Sequence, residues 1–148
     1  APRFPDPRTD LGLQRMRFAL AFGADPARAT ELGWALNVPA RPARGRRLGP
    51  LVTSSDPRVL ISAVKLADDR SGDLIVRLYE SAGGRTTTRL VMDLPAVESV
   101  HEADLLERPG EPVAWSATDG VHASVVLEFR PFQLRTLRIT PGRTSWPR

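Results

Sequence analysis

The chain has 148 residues, 41% of them apolar and 26% charged, which is enough to bury an ordinary core without covalent staples. It has no cysteine, which excludes disulfides, thiolate metal sites and a cysteine nucleophile. The net charge of +4 sits toward the front: residues 1–50 carry nine cationic and four anionic side chains, residues 51–148 twelve and thirteen.

The opening, Arg3 to Leu13, is broken by two prolines and a glycine and reads as an irregular loop. A chain that starts at Ala1 with neither start signal nor cap reads as a piece of something longer. Gln14 to Phe22 then sets Met16, Phe18, Leu20 and Phe22 against Arg15, Arg17, Ala19 and Ala21. That period of two predicts a strand with its bulky face covered. Asp25 before Pro26 is a helix N-cap followed by a proline at the first helical position, and a short helix is expected to about Leu36, with Trp34 as its apolar anchor and Asn37 and Pro39 closing it.

Arg41, Arg44, Arg46 and Arg47 crowd the stretch from Ala40 to Pro50. Without interleaved aromatics they read as a solvated connector, and no nucleic-acid partner is expected. The turn Thr53-Ser54-Ser55-Asp56-Pro57-Arg58 leads into Val59–Leu66, apolar in both phases and therefore expected to be a strand buried on both sides. A polar connector containing Gly72 returns the chain into Leu74–Glu80, where Leu74, Val76 and Leu78 alternate with Ile75, Arg77 and Tyr79, so a β-hairpin is predicted.

After Ala82-Gly83-Gly84, Arg85–Leu94 sets Thr86, Thr88, Leu90 and Met92 against Thr87, Arg89 and Val91. Val97–His101 is a fourth strand, and Arg108 to Pro112 a turn. Val121–Arg130 has the longest regular period, with Val121, Ala123, Val125, Leu127 and Phe129 inward. Beyond Pro131, Phe132 and Leu134 take one phase and Leu137 and Ile139 the other, which predicts a bulge near Arg135 and Thr136. The last residues read as a frayed tail. Together these elements predict a mainly β chain, an antiparallel β-sandwich with one short N-terminal helix. Its expected organisation is residues 1–50 as the end of a preceding β domain with helix and connector, 51–140 as the sandwich and 141–148 as tail.

Chemistry-bearing motifs are sparse. His101 and His122 stand outside any HxH or HExxH pattern, so no metal site is expected in this chain, and there is no GxSxG elbow or phosphate loop. No run of about 18 apolar residues is present to cross a membrane, and no membrane partner is expected. Trp34, Tyr79, Trp115 and Trp146 are scattered, which weighs against an aromatic platform for sugar rings.

Five stretches in series, PDPRTDLGLQRMRFAL, ELGWALNVPAR, VLISAVKLADDRSGDLIVRLYES, EADLLERPGE and LEFRPFQLRTLRI, resemble the C-terminal portion of glycoside hydrolase family 38 α-mannosidases from about Arg3 to Ile139. Gln14 stands where that family tends to have histidine, Asp68 and Gln133 where it tends to have glutamate, and Phe22-Gly23 where it has Pro-His. The resemblance implies a retaining exo-α-mannosidase whose nucleophile, acid/base carboxylate and zinc ligands lie upstream of Ala1. This chain would then be its non-catalytic sandwich, packed against the catalytic domain, inactive alone and holding no zinc.

Under that resemblance Asp56 and Arg58 are candidates for a loop at the rim of the α-mannoside pocket, Arg58 offering a fork of donors to sugar hydroxyls. Arg77 and Glu80 are candidates for a domain contact or a cross-strand pair. The absence of cysteine and of any N-x-S/T signal fits a cytoplasmic bacterial enzyme. A stand-alone carbohydrate-binding or interaction sandwich is the alternative.

Overall fold

The computed structural model describes residues 12–38, 49–94, 96–118 and 122–142. The expected opening loop before residue 12, nearly all of the arginine-rich connector, Val121, Trp146 and the tail beyond residue 142 lie outside them. The chain divides into two compact units, Ala1–Pro42 and Ala43–Arg148.

In the first unit the helix forms where its signals place it, as α1 (Pro26–Asn37). Asp25 caps it by accepting the Arg28 N–H at 2.7 Å, Pro26 occupies the first turn, and the Val38 N–H closes the last turn on the Trp34 carbonyl at 2.8 Å. No helical residue is buried. The stretch Gln14–Phe22 is not a strand: residues 13–21 have no ladder partner, and Met16, Phe18, Leu20 and Phe22 are 78–91% exposed. Alternation specifies which face would be covered. A strand also needs a neighbour to take its N–H and C=O groups, and the described residues of this unit supply none.

The second unit is the expected sandwich. One sheet has the order β1 (Val52–Ser54), β4 (Thr86–Met92), β8 (His122–Phe129), β7 (Trp115–Thr118). The other has β2 (Val59–Leu66), β3 (Leu74–Glu80), β9 (Leu134–Pro141), β5 (Val97–Ala103), β6 (Pro109–Pro112), and every pairing is antiparallel. Between them Val76, Leu78, Leu137 and Ile139 of one sheet meet Leu90, Met92, Val125 and Leu127 of the other, all at most 1% exposed.

β4 and β8 follow the predicted period, with Thr86, Thr88, Leu90 and Met92 buried and Val126 the outward apolar exception at 53% exposure. The β2–β3 hairpin turns through Gly72 at φ +92°, a conformation that favours glycine. β2 itself corrects the expectation of a strand buried on both sides. It is the edge of its sheet, and Val64 and Leu66 are 40% and 61% exposed because the facing sheet ends at the short β1.

The predicted bulge near Arg135 and Thr136 is also absent. β9 runs in unbroken register against β3 from Leu134 to Ile139. The apparent slip arises because Arg135 takes the inward position opposite Leu78, its guanidinium 5.6 Å from the centre of the Phe129 ring and paired with Glu102, while Leu134 points out. The bulges fall elsewhere, in β2 between Ile61 and Ala63, in β5 between Val97 and Ser99, and in β6 between Pro109 and Pro112, opposite Ala103 and His101.

Glu80 ends β3 on the core-facing side and is fully buried. Its Oε1 accepts the Ala82 N–H at 2.9 Å, and its Oε2 accepts the N–H groups of Gly83 at 2.8 Å and Phe132 at 3.0 Å. One carboxylate thereby fixes both connections that cross between the sheets at this end, β3 to β4 and β8 to β9. Burial pushes its pKa up, and the amide donors of Phe132, Ala82, Gly83 and Gly84 together pull it further down, so it stays below its ordinary value.

Replacing Glu80 by Gln, which sets an amide nitrogen against buried N–H donors, is expected to cost about 1–3 kcal/mol at neutral pH in urea unfolding. A folded pKa below the unfolded one gives stability that is complete above the unfolded value and is lost as pH falls through the folded one, so the deficit of Glu80→Gln should shrink below about pH 4. Gly83 has φ +77°, and an added Cβ would lie 2.7 Å from the Phe132 ring. Gly83→Ala should therefore lose about 1–2 kcal/mol from the backbone conformation even if the ring swings away.

Candidate functional site

The turn between β1 and β2 is tied by hydrogen bonds to β4. The Asp56 N–H donates to Thr88 Oγ1 at 3.2 Å, Ser54 Oγ shares that hydroxyl at 2.8 Å, and the Val59 N–H closes on the Asp56 carbonyl at 3.0 Å. The Asp56 carboxylate accepts from Arg58 three times: from its backbone N–H at 2.9 Å, Nε at 3.1 Å and Nη2 at 2.7 Å. Thr86 donates its hydroxyl proton to the same carboxylate and accepts a second Arg58 Nη2 proton at 2.7 Å.

The Arg58 side chain is the main reason Asp56 stays well below the usual carboxylate range; burial opposes it, and the Thr86 hydroxyl adds to the lowering. Asp56, with its side chain 13% exposed, thus orients Arg58, whose side chain is 45% exposed.

Arg58 lines an open recess of about 550 Å3 at the end of the β1-containing sheet, together with Arg85, Thr86, Thr87, Glu128 and Arg130. The walls are tied back to the Glu80 corner: the Ser81 N–H donates to the Arg58 carbonyl at 2.8 Å, and the Glu80 N–H donates to the Gln133 carbonyl at 3.0 Å. Arg85 and Arg130 were legible in the sequence only as outward charges. Their convergence needs the β4–β8 register, in which Thr86 faces Phe129 and Thr87 faces Glu128.

Arg77 and Glu80 are not brought together. Glu80 is inside, engaged with its own backbone, whereas Arg77 lies on the outer face of its sheet, with Nε 3.4 Å from Thr136 Oγ1 and Nη2 donating to the Leu105 carbonyl at 3.3 Å. Around Arg77 lies a network that sequence reasoning missed. Glu107, 6% exposed at φ +68°, accepts the Asp68 N–H at 2.9 Å and pairs with Lys65 at 2.6 Å. Arg138 bridges Asp69 at 2.7 Å and Asp73 at 2.6 Å. These charges roof Ile75, which is wholly buried on what the alternation marks as the solvent side. The available signal was the outward phase of Arg138 beside the Asp-rich hairpin connector.

His101 belongs to β5 and His122 to β8, in different sheets, and the described residues gather no group of three or more His, Asp or Glu able to hold a metal ion. Tyr79 and Trp115 likewise belong to different sheets.

Loss of the Asp56 charge in Asp56→Asn should lower stability at neutral pH and flatten its acid dependence. Stability from a lowered carboxylate is complete above its unfolded pKa of about 4 and disappears only as pH falls through the folded value, so the gap between wild type and variant in thermal melts should begin to narrow below about pH 4 and should not close by about pH 2.

Residues 58–137 match the glycosyl hydrolases family 38 C-terminal beta sandwich domain. The chain is also similar to alpha-mannosidase 2C1 of Homo sapiens, at 29% identity over 147 residues, a match that covers 93% of this chain and 14% of that protein. It therefore spans about a seventh of the length of the relative it matches. More than half of its residues fall within the family's sandwich domain, and two antiparallel sheets enclose its core, so the chain belongs to the C-terminal β-sandwich domains of glycosyl hydrolase family 38.

Proposed function

We propose that this chain is the non-catalytic sandwich portion of a retaining, zinc-dependent α-mannosidase that hydrolyses terminal α-mannosides, and that it packs against and supports the catalytic domain of the same protein. The observation that carries this reading is the similarity to a protein named alpha-mannosidase across 93% of the chain. A supporting role draws on the edge strand β2, where Leu51, Val64 and Leu66 line an apolar recess of about 460 Å3 with its outer edge unpaired among the described residues. Such a surface gains by being covered.

Retaining cleavage needs two carboxyl groups flanking the glycosidic bond, one attacking the sugar and the other protonating the leaving oxygen. The carboxylates of greatest interest here are committed elsewhere, Asp56 to Arg58 and Thr86, Glu80 to backbone amides and Glu107 to Lys65. The described residues do not fit a catalytic zinc ion, so no step is assigned to one in this chain. Arg58, held by Asp56, supplies a donor to the rim of the substrate pocket. This reading places the parent in the cytoplasm.

Titrating the 148-residue chain with methyl α-mannoside should give no dissociation constant tighter than about 1 mM and no hydrolysis. Deleting residues 43–148 from the parent should abolish its mannosidase activity. Sub-millimolar binding by the chain alone would instead favour a stand-alone carbohydrate-binding module, and hydrolysis by it would refute the proposal.

A further inference from the structure

We propose that the recess at the ends of β4 and β8 is an anion site that takes a small carboxylate-bearing ligand, gripped by Arg85 and Arg130 with Arg58 behind them. The β4–β8 register pairs Thr86 with Phe129, and one step further places Arg85 opposite Arg130 on the outward face. Directly opposed like charges on neighbouring strands repel. Among the described residues neither guanidinium has a hydrogen-bonding or ion-pair partner, although Glu128 lines the same recess.

Arg58 is spent only in part. Its Nε and Nη2 are taken by Asp56 and Thr86, while the Nη1 protons meet no acceptor among the described residues. The hydroxyl of Thr87 is a further neutral donor at the wall.

The charge count selects the class of ligand. The charge of Arg58 is already met by Asp56 and Glu80, and the two exposed guanidiniums of Arg85 and Arg130 against Glu128 leave one net positive charge at the mouth of the recess, which suits a monoanion. The planar fork of a guanidinium matches a carboxylate in two parallel bonds. A recess of about 550 Å3 has room for a ligand the size of a single acidic sugar. The site is also held in shape before any ligand arrives. Its three arginines sit on the β1–β2 turn and on the two connections that Glu80 fastens, so binding would have to order the Arg85 and Arg130 side chains but not the backbone that carries them.

The test is an NMR titration of the amide-labelled 148-residue chain with sodium glucuronate, with methyl glucoside as the neutral control and inorganic phosphate as a second anion. We expect saturable shifts at residues 85–87 and 128–130 with a dissociation constant of about 1–10 mM at low salt. Affinity should weaken several-fold on raising salt from about 20 to 200 mM. Arg85→Gln combined with Arg130→Gln should weaken it about tenfold or more, and Arg108→Gln, in the β5–β6 hairpin, should leave it unchanged. Arg85→Lys keeps the charge without the fork and guards against a folding defect; it should weaken glucuronate more than phosphate. Equal shifts with methyl glucoside, no saturable shift, or unchanged affinity in the double variant would overturn the proposal.

Discussion

A single buried carboxylate sets the geometry of one whole end of this domain. A charge without a cation beside it is costly to bury, and Glu80 is tolerated because backbone N–H groups from two different turns converge on it. Those turns are the places where the chain passes from one sheet to the other, so satisfying Glu80 fixes how the two sheets meet. Gly83 and Phe132, both with positive φ and in contact with each other, are the local cost of bringing the two turns close.

The candidate site is built outward from that corner. Ser81, next to Glu80, holds the carbonyl of Arg58, and the Glu80 amide holds Gln133. Asp56 then fixes the direction of the Arg58 side chain. The polar surface at this end is therefore a rigid display of donors on a β framework, whereas at the β2 edge the surface is apolar. One domain carries both kinds of face, and the proposed role as a support for a larger body draws on the apolar one.

Much of the fold was legible because period-two alternation survives in strands flanked on both sides: the inward apolar phases of β3, β4 and β8 read correctly, while Ile75 and Ser124 are buried against the period. The failures have separate physical causes. Gln14–Phe22 alternates as well as any of them yet lacks a pairing partner among the described residues of its unit. β1, β6 and β7 have only three or four residues, too few to show a period, and β6 begins and ends with proline. Arg135 imitates a bulge because a guanidinium can occupy a core-facing position at the rim by stacking on Phe129 and pairing with Glu102. The Asp56–Arg58 turn was visible as turn chemistry. The inward Glu80 was not, since composition alone puts carboxylates on the surface.

The most direct test of the corner's role is the carboxyl 13C titration of Glu80 in the folded chain. An ionised group held by amide donors should titrate below 4.5, the ordinary glutamate value, with the amide protons of Ala82, Gly83 and Phe132 shifting in step. A midpoint above that value, or a titration those three amides do not follow, would mean that the carboxylate is merely buried and that something else holds the two sheets in place.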